Sequence, residues 1–143
     1  MVYDSLDDFE KDLSWIIEGN APSGEFLAYL DFKKLSRREA QFSFSIEYWD
    51  TSLLFARAEL ELVPYGVRIH NYVYQYELGG ETVFRYDDAP HFPRHPTFPH
   101  HKHIGPDETS YPCYQPSVED VLKEIEAVLA GGRPTIPVVT WLF

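Results

Sequence analysis

The sequence predicts an α+β fold of two layers in a single domain, residues 1–143. An antiparallel β-meander of four to five strands is expected to carry an N-terminal and a C-terminal helix packed on one face. Apolar residues alternate with polar ones through the middle of the chain and recur at helical spacing near both ends. The spacers between alternating runs are too short for the crossovers of a parallel sheet. The aromatic share of 16% also favours strands.

The first predicted element is a helix over residues 5–18. Ser5 is expected to cap it, and Gly19 with Asn20 to end it. Its apolar residues at helical spacing are Leu6, Phe9, Leu13, Ile16 and Ile17.

The middle of the chain predicts strands joined by short turns. Gly79-Gly80 is a hairpin signal. In the fourth strand, alternation places Tyr72, Tyr74 and Tyr76 opposite Val67, and a partly covered sheet face is favoured there over a base-stacking platform. The predicted strands are 26–32, 41–49, 53–63, 67–78 and 81–87.

The second predicted helix covers residues 117–130. Ser117 is expected to cap it, and Gly131-Gly132 to end it. Its apolar stripe is Val118, Val121, Leu122, Ile125, Val128 and Leu129.

Net charge and cysteine content limit the classes of function. The chain carries a net charge of −11, whereas proteins that bind nucleic acid through bulk charge are basic. Residues 85–103 hold three basic against two acidic residues, which permits a small anionic ligand or a focused phosphate site, while the acidic remainder of the chain suits a basic protein partner. The single cysteine, Cys113, is expected to be a buried thiol rather than a nucleophile. With no signal segment or membrane span in the pattern, a cytoplasmic protein is expected.

Chemistry is concentrated between His91 and His103, where five of the six histidines fall. We call residues 90–103 the His-Pro segment. Its prolines recur every third residue, which is the period of polyproline II, and they are expected to exclude the segment from the sheet. An extended segment would align His91, Arg94, Thr97 and His100 on one edge, and on the other edge Phe92, His95, Phe98 and His101.

Metal binding is one interpretation of this segment. Imidazole and carboxylate groups bind transition ions, and Asp87, Asp88 or His91 could join the histidines. Neighbouring residues of an extended segment point to opposite sides, so His100 and His101 are not expected to share an ion. His101 and His103 could share one, although none of the well-known ligand spacings is present.

Metal-free cleavage of a phosphodiester is a second interpretation of the segment. It needs a base, an acid and a cation, and no cofactor or metal is then expected. A rigid surface loop with incidental histidines, and a phosphate- or protein-binding module, remain alternatives. The candidate catalytic residues are His91, His100, His101, His103 and Arg85, and the candidate phosphate- or RNA-binding residues are Arg94, Lys102 and Tyr86.

The chain resembles the TumE-like family of small prokaryotic toxins over about residues 25–130. The family pattern is roughly Phe-Arg-Tyr-Asp-Asn-Ala-Pro-His-His-Pro, a short spacer, and Pro-His-His-Lys-His. Asp88 and Phe92 depart from it, standing where the pattern has Asn and His. The residues that carry the resemblance are Phe84-Arg85-Tyr86-Asp87-Asp88-Ala89-Pro90-His91 and Phe98-Pro99-His100-His101-Lys102-His103.

The resemblance implies a toxin of a toxin–antitoxin system. Such toxins are expected to act on RNA or translation and to be neutralised by a helix-turn-helix antitoxin encoded next door. RNA and a second copy of the chain are the other candidate partners. A metal-independent ribonuclease and a small metal-dependent hydrolase both stay open as activities.

Overall fold

The computed structural model describes residues 3–20 and 28–139. Its described part has two helices and seven strands in one antiparallel sheet, with the strands in chain order from β1 to β7. The elements are α1 Leu6–Asn20, β1 Ala28–Lys34, β2 Glu39–Glu47, β3 Leu53–Val63, β4 Gly66–Leu78, β5 Glu81–Asp87, β6 His101–Ile104, β7 Thr109–Pro112 and α2 Val118–Leu129.

The α+β class and the antiparallel meander are confirmed, but the sheet has seven strands rather than four to five. The two missed strands follow the last proline of the period-three run. From His101 onward the backbone has N–H groups to donate, and β6 pairs with β5 from Phe84 opposite Ile104 to Asp87 opposite His101. The expectation that the whole His-Pro segment stays out of the sheet is therefore wrong for its last three residues.

The predicted helix caps are present. The Ser5 hydroxyl accepts a hydrogen bond from the Asp8 N–H at 3.1 Å, and α1 continues two residues beyond its predicted end. Ser117 forms a reciprocal capping box with Asp120 at the start of α2. None of the described helices has the length and apolar content to cross a membrane. The start of the predicted first strand, residues 26–27, lies outside the described residues.

One hydrophobic cluster holds the inward side chains of the strands together with the buried residues of both helices. Phe42 and Phe44 of β2 stack at 6.0 Å, and Phe9 of α1 contacts Phe42 at 6.4 Å between ring centroids. In β5, Phe84 lies in this cluster and Tyr86 packs against it. Arg85 and Asp87 alternate with these two residues along β5. They therefore project to the opposite face of the sheet, which we call the outer face.

A bulge in β4 corrects the predicted alternation of that strand. Asn71 has a φ of +48°, and the β3–β4 register shifts at this point. The Asp88 carboxylate accepts hydrogen bonds from the N–H groups of Asn71 at 2.7 Å and Tyr72 at 2.9 Å. The extra residue turns Tyr72, Tyr74 and Tyr76 inward, to the side of Val67 and Ile69. All three tyrosines are buried, so they are core residues rather than a platform for bases.

Candidate functional site

Four polar side chains meet on the outer face where β5 pairs with β6. Arg85 lies opposite His103, and Asp87 lies opposite His101. Because alternate residues of a strand share a face, each strand contributes two of these side chains. We call Arg85, Asp87, His101 and His103 the Asp87 cluster.

Asp87 is the centre of the cluster. Its buried carboxylate accepts a hydrogen bond from Arg85 Nε at 2.9 Å on Oδ2, and one from the Ala89 N–H at 3.0 Å on Oδ1. His101 Nε2 lies 2.8 Å from Oδ1, and His103 Nε2 lies 3.9 Å from Oδ2. One carboxylate therefore orients a guanidinium and faces two imidazoles.

Backbone carbonyl groups fix the tautomer of both imidazoles. His101 Nδ1 lies 2.9 Å from the Pro99 oxygen, and His103 Nδ1 lies 3.2 Å from the Glu108 oxygen. A carbonyl oxygen only accepts, so each Nδ1 carries the proton and donates it. In a neutral ring the lone pair is then on Nε2, which in both residues faces Asp87. Burial lowers the pKa of His101, which favours its neutral ring.

The first part of the His-Pro segment folds over the buried side of the cluster. The Phe92 ring meets the His101 ring edge-on at 4.9 Å and stacks on His95 at 4.9 Å. The His91 ring centroid is 6.4 Å from that of His101, and the side chain of His91 is exposed. His101 is only 1% exposed, whereas the side chains of Arg85 and His103 are 40% and 20% exposed. The cluster is therefore open to solvent from the Arg85 and His103 side.

The predicted polyproline II form is not what the segment adopts. Hydrogen bonds close successive turns from His95 N–H to Phe92 O, from Phe98 N–H to His95 O and from His100 N–H to Thr97 O, at 2.9–3.0 Å. Polyproline II has no internal hydrogen bonds, so the two predicted edges do not exist as continuous rows. Arg94 lies exposed in this turn region.

His100 and His101 point to opposite sides of the backbone, as the alternation of an extended chain requires. His100 Nδ1 lies 2.8 Å from the Tyr72 hydroxyl, and the two rings stack at 5.8 Å. Burial lowers the pKa of His100. The structure therefore separates His100 from the other candidate catalytic histidines and places it against a core tyrosine.

Two candidate RNA-binding residues, Lys102 and Tyr86, lie on the inner face. Lys102 is 0% exposed and donates hydrogen bonds from Nζ to Glu124 Oε2 and to the Thr135 oxygen, both at 2.6 Å. The Tyr86 hydroxyl donates to Glu124 Oε1 at 2.6 Å. Both residues contact Glu124 of α2; Lys102 is fully buried there, and Tyr86 is partly buried.

Cys113 is buried, as expected, and burial raises the pKa of its thiol to about 12. A buried thiol that resists ionisation is a poor nucleophile. From the sequence, Asp87 was predicted only as an optional metal ligand. The available signal was its spacing, since Asp87 stands two residues after Arg85 at the end of a predicted strand and therefore on the same face.

A family model described as Toxin TumE matches residues 25–129. The chain belongs to the TumE toxin family. No curated protein and no solved structure matches it. The matched span begins after α1 and ends at the last residue of α2, so it contains all seven described strands and the Asp87 cluster.

Membership in the TumE family supports the assignment of this chain as a toxin of a toxin–antitoxin system, and it implies an antitoxin partner. The departure from the family pattern at Phe92 also has a structural role here. Its ring covers His101 and stacks on His95, so this position contributes packing rather than an imidazole.

Proposed function

We propose that this TumE-family toxin acts on RNA through the Asp87 cluster. The observation that carries the proposal is the pairing of Arg85 with His103 at the accessible edge of the cluster, with Asp87 directly behind both. Cleavage of a phosphodiester requires a cation beside an oriented imidazole that can transfer a proton. The rest of the chain is acidic, so the contact with RNA is local rather than a broad electrostatic surface.

The chemistry that these groups support is transfer of the RNA phosphate to the neighbouring 2′-hydroxyl. His103 Nε2 takes the 2′-hydroxyl proton as the 2′-oxygen bonds to phosphorus. The bond from phosphorus to the 5′-oxygen breaks, and an exposed imidazolium, for which His91 is the candidate, returns a proton to that oxygen. Arg85 stabilises the charge on the phosphoryl oxygens. Asp87 and His101 act as positioning residues, because both are buried.

The partner implied by the family is an antitoxin, and we propose that it is of the helix-turn-helix type and is encoded by a neighbouring gene. RNA as the target places the action of the toxin in the cytoplasm. A second copy of the chain is a further candidate partner.

Induced expression in a bacterial host tests the proposal. Arg85→Gln and His103→Gln should each relieve growth arrest and leave cellular RNA intact, while the wild-type chain arrests growth and cuts RNA. His70→Gln is the matched control, because His70 pairs with Glu59 at 3.7 Å outside the cluster. Circular dichroism and the soluble level of each variant separate a lost fold from lost chemistry.

Two results would overturn the proposal. One is a His103→Gln variant that folds and remains as toxic as the wild-type chain. The other is wild-type arrest with intact RNA and continuing translation. A purified chain that binds its neighbour-encoded partner tightly but leaves total RNA intact would instead favour a non-catalytic binding module.

A further inference from the structure

Among residues 3–20 and 28–139, the donor atoms of Asp87, His101 and His103 lie within 4.8 Å of one another. The three residues come from two paired strands, so their spacing is held by the sheet rather than by a flexible loop. Two imidazoles and one carboxylate form a donor set that suits zinc and other divalent transition ions, with positions left open for water or substrate. Magnesium and calcium prefer sets made of oxygen alone.

The spacings between the donor atoms lie close to those around a bound ion. Ligand atoms about 2.0–2.2 Å from a tetrahedral ion lie roughly 3.3–3.6 Å from one another. The distance from Asp87 Oδ1 to His101 Nε2 is 2.8 Å, and that from Oδ2 to His103 Nε2 is 3.9 Å. Shifts of roughly half an ångström would bring both contacts to the expected spacing.

The tautomers supply an independent argument. Metal-ligating histidines almost always donate their second ring N–H to a carbonyl or carboxylate oxygen. His101 and His103 both donate Nδ1–H to backbone carbonyls, of Pro99 and Glu108, and present Nε2 to the same carboxylate. Two outer contacts of the kind that fixes a ligand are therefore already in place.

The buried nitrogen of His101 is the most specific sign of a cation. His101 Nε2 is buried and makes no hydrogen bond, although Asp87 Oδ1 is 2.8 Å away. With the only ring proton on Nδ1, a lone pair faces a carboxylate oxygen, and such a contact is repulsive unless a metal ion or a second proton lies between the two atoms. Arg85 binds Oδ2 on the other side, so it leaves this contact uncompensated.

We propose that Asp87, His101 and His103 bind a divalent transition-metal ion. Its catalytic role rests on the proposed function, since the ion would lie beside Arg85 at the accessible edge, where it could bind a phosphate oxygen of RNA. With an ion bound, His103 is a ligand rather than a base, and proton transfer falls to other groups such as His91. Binding of the ion is a separate statement and can be measured without RNA.

The test uses the full chain, produced without a histidine tag by cell-free synthesis. After dialysis against Zn²⁺ or Co²⁺, the wild-type chain should retain one equivalent, and Co²⁺ should give visible absorption bands of a low-symmetry nitrogen–oxygen site. His103→Gln should weaken binding by more than the 10–100-fold typical of losing an outer contact. His70→Gln should retain the equivalent.

Folding of each variant is checked by circular dichroism, and Asp87→Asn gives a second ligand substitution. An equivalent that survives both His103→Gln and Asp87→Asn would overturn the proposal, because other histidines of the loop would then hold the ion. A wild-type chain that binds no ion would also overturn it. Growth arrest that depends on Arg85 and His103 in such a metal-free chain would leave the proposed function standing. A chain that binds the ion but leaves RNA intact would support the metal site and contradict the proposed function.

Discussion

Lys102 of β6 and Glu124 of α2 form a largely buried ion pair, with Nζ 2.6 Å from Oε2. The ammonium also lies 4.7 Å from the ring centroid of Tyr86 and 5.1 Å from that of Phe84. Burial lowers the pKa of Lys102, and the hydrogen bond to Glu124 opposes that shift. The pair joins β6, which lies next to the edge strand β7, to helix α2.

Removing one partner of this pair should destabilise the protein strongly. Lys102→Met leaves the Glu124 carboxylate buried with only the Tyr86 hydroxyl and the Thr135 N–H as donors. Breaking a buried pair costs about 3–5 kcal/mol, because one charge stays uncompensated. Urea unfolding of the purified variant measures the loss.

The double variant Lys102→Met, Glu124→Leu is the control. It should lose less stability than the sum of the two single variants, since no buried charge remains. Losses that simply add would show that the two residues are not coupled. The exposed pair of Lys123 and Glu119, 2.9 Å apart, provides a comparison in which Lys123→Met should cost less than about 1 kcal/mol.

The contrast between Lys102 and Arg85 shows what the sequence could and could not predict about the site. Histidines and basic residues are concentrated in residues 85–103 of the sequence, and three of them, Arg85, His101 and His103, belong to the Asp87 cluster. Which residues faced outward depended on β6, whose pairing with β5 alternates His101 and His103 outward and Lys102 inward. Four residues after a proline run carry too little periodicity to predict a strand.

Asp88 should be more important for stability than its position in a loop suggests. It accepts hydrogen bonds from two N–H groups at the β4 bulge, those of Asn71 and Tyr72. Asp88→Ala leaves both donors without this partner, and we expect a loss of about 2 kcal/mol in the free energy of unfolding.

Asp88→Asn is the matched control, and it restores the residue found in the family pattern. Its amide keeps one acceptor oxygen but presents its NH2 group to the second N–H, so we expect a loss of about 1 kcal/mol, half that of Asp88→Ala. Equal losses in the two variants would mean that the charge, rather than the acceptor geometry, holds the bulge. Thermal unfolding followed by circular dichroism distinguishes the two outcomes.

Gly105 is required by a close backbone approach after β6. A Cβ at this position would lie 1.6 Å from the carbonyl oxygen of Thr82, and the Gly105 N–H donates to the Val83 oxygen at 3.0 Å. Gly105→Ala should therefore push the end of β6 away from β5, at a cost of about 1–3 kcal/mol. Because His103 lies two residues away, growth arrest should weaken as well.

Gly19→Ala is the control for this substitution. No atom lies within 4 Å of a Cβ at Gly19, which is inside α1. Replacing it should raise stability by up to about 1 kcal/mol, because alanine is the better helix former. A Gly105→Ala variant that is as stable as the wild-type chain would show that the β5–β6 connection can shift without cost.

The β4 bulge explains why the strand boundaries were easier to predict than the sheet faces. Strands 53–63 and 81–87 match the structure because each alternates regularly up to a turn signal. In β4, one residue at Asn71 reverses the faces of everything after it. The bulge depends on the Asp88 carboxylate, which is 17 residues away in sequence, and periodicity within the strand contains no trace of that contact.

Alkaline conditions should destabilise the protein through its buried tyrosines. Burial raises the pKa values of Tyr48 and Tyr74, and neither hydroxyl has a hydrogen-bond partner. The unfolded chain ionises its tyrosines near pH 10, so above that pH it binds fewer protons than the folded chain, and stability falls as pH rises. Each such tyrosine should cost roughly 1 kcal/mol by pH 11.

Tyr74→Phe should therefore be nearly neutral at pH 7 but more stable than the wild-type chain at pH 11. Tyr65→Phe, at an exposed position, should change stability at neither pH. Urea unfolding at both pH values gives the comparison, and an equal effect of Tyr74→Phe at pH 7 and pH 11 would contradict the linkage.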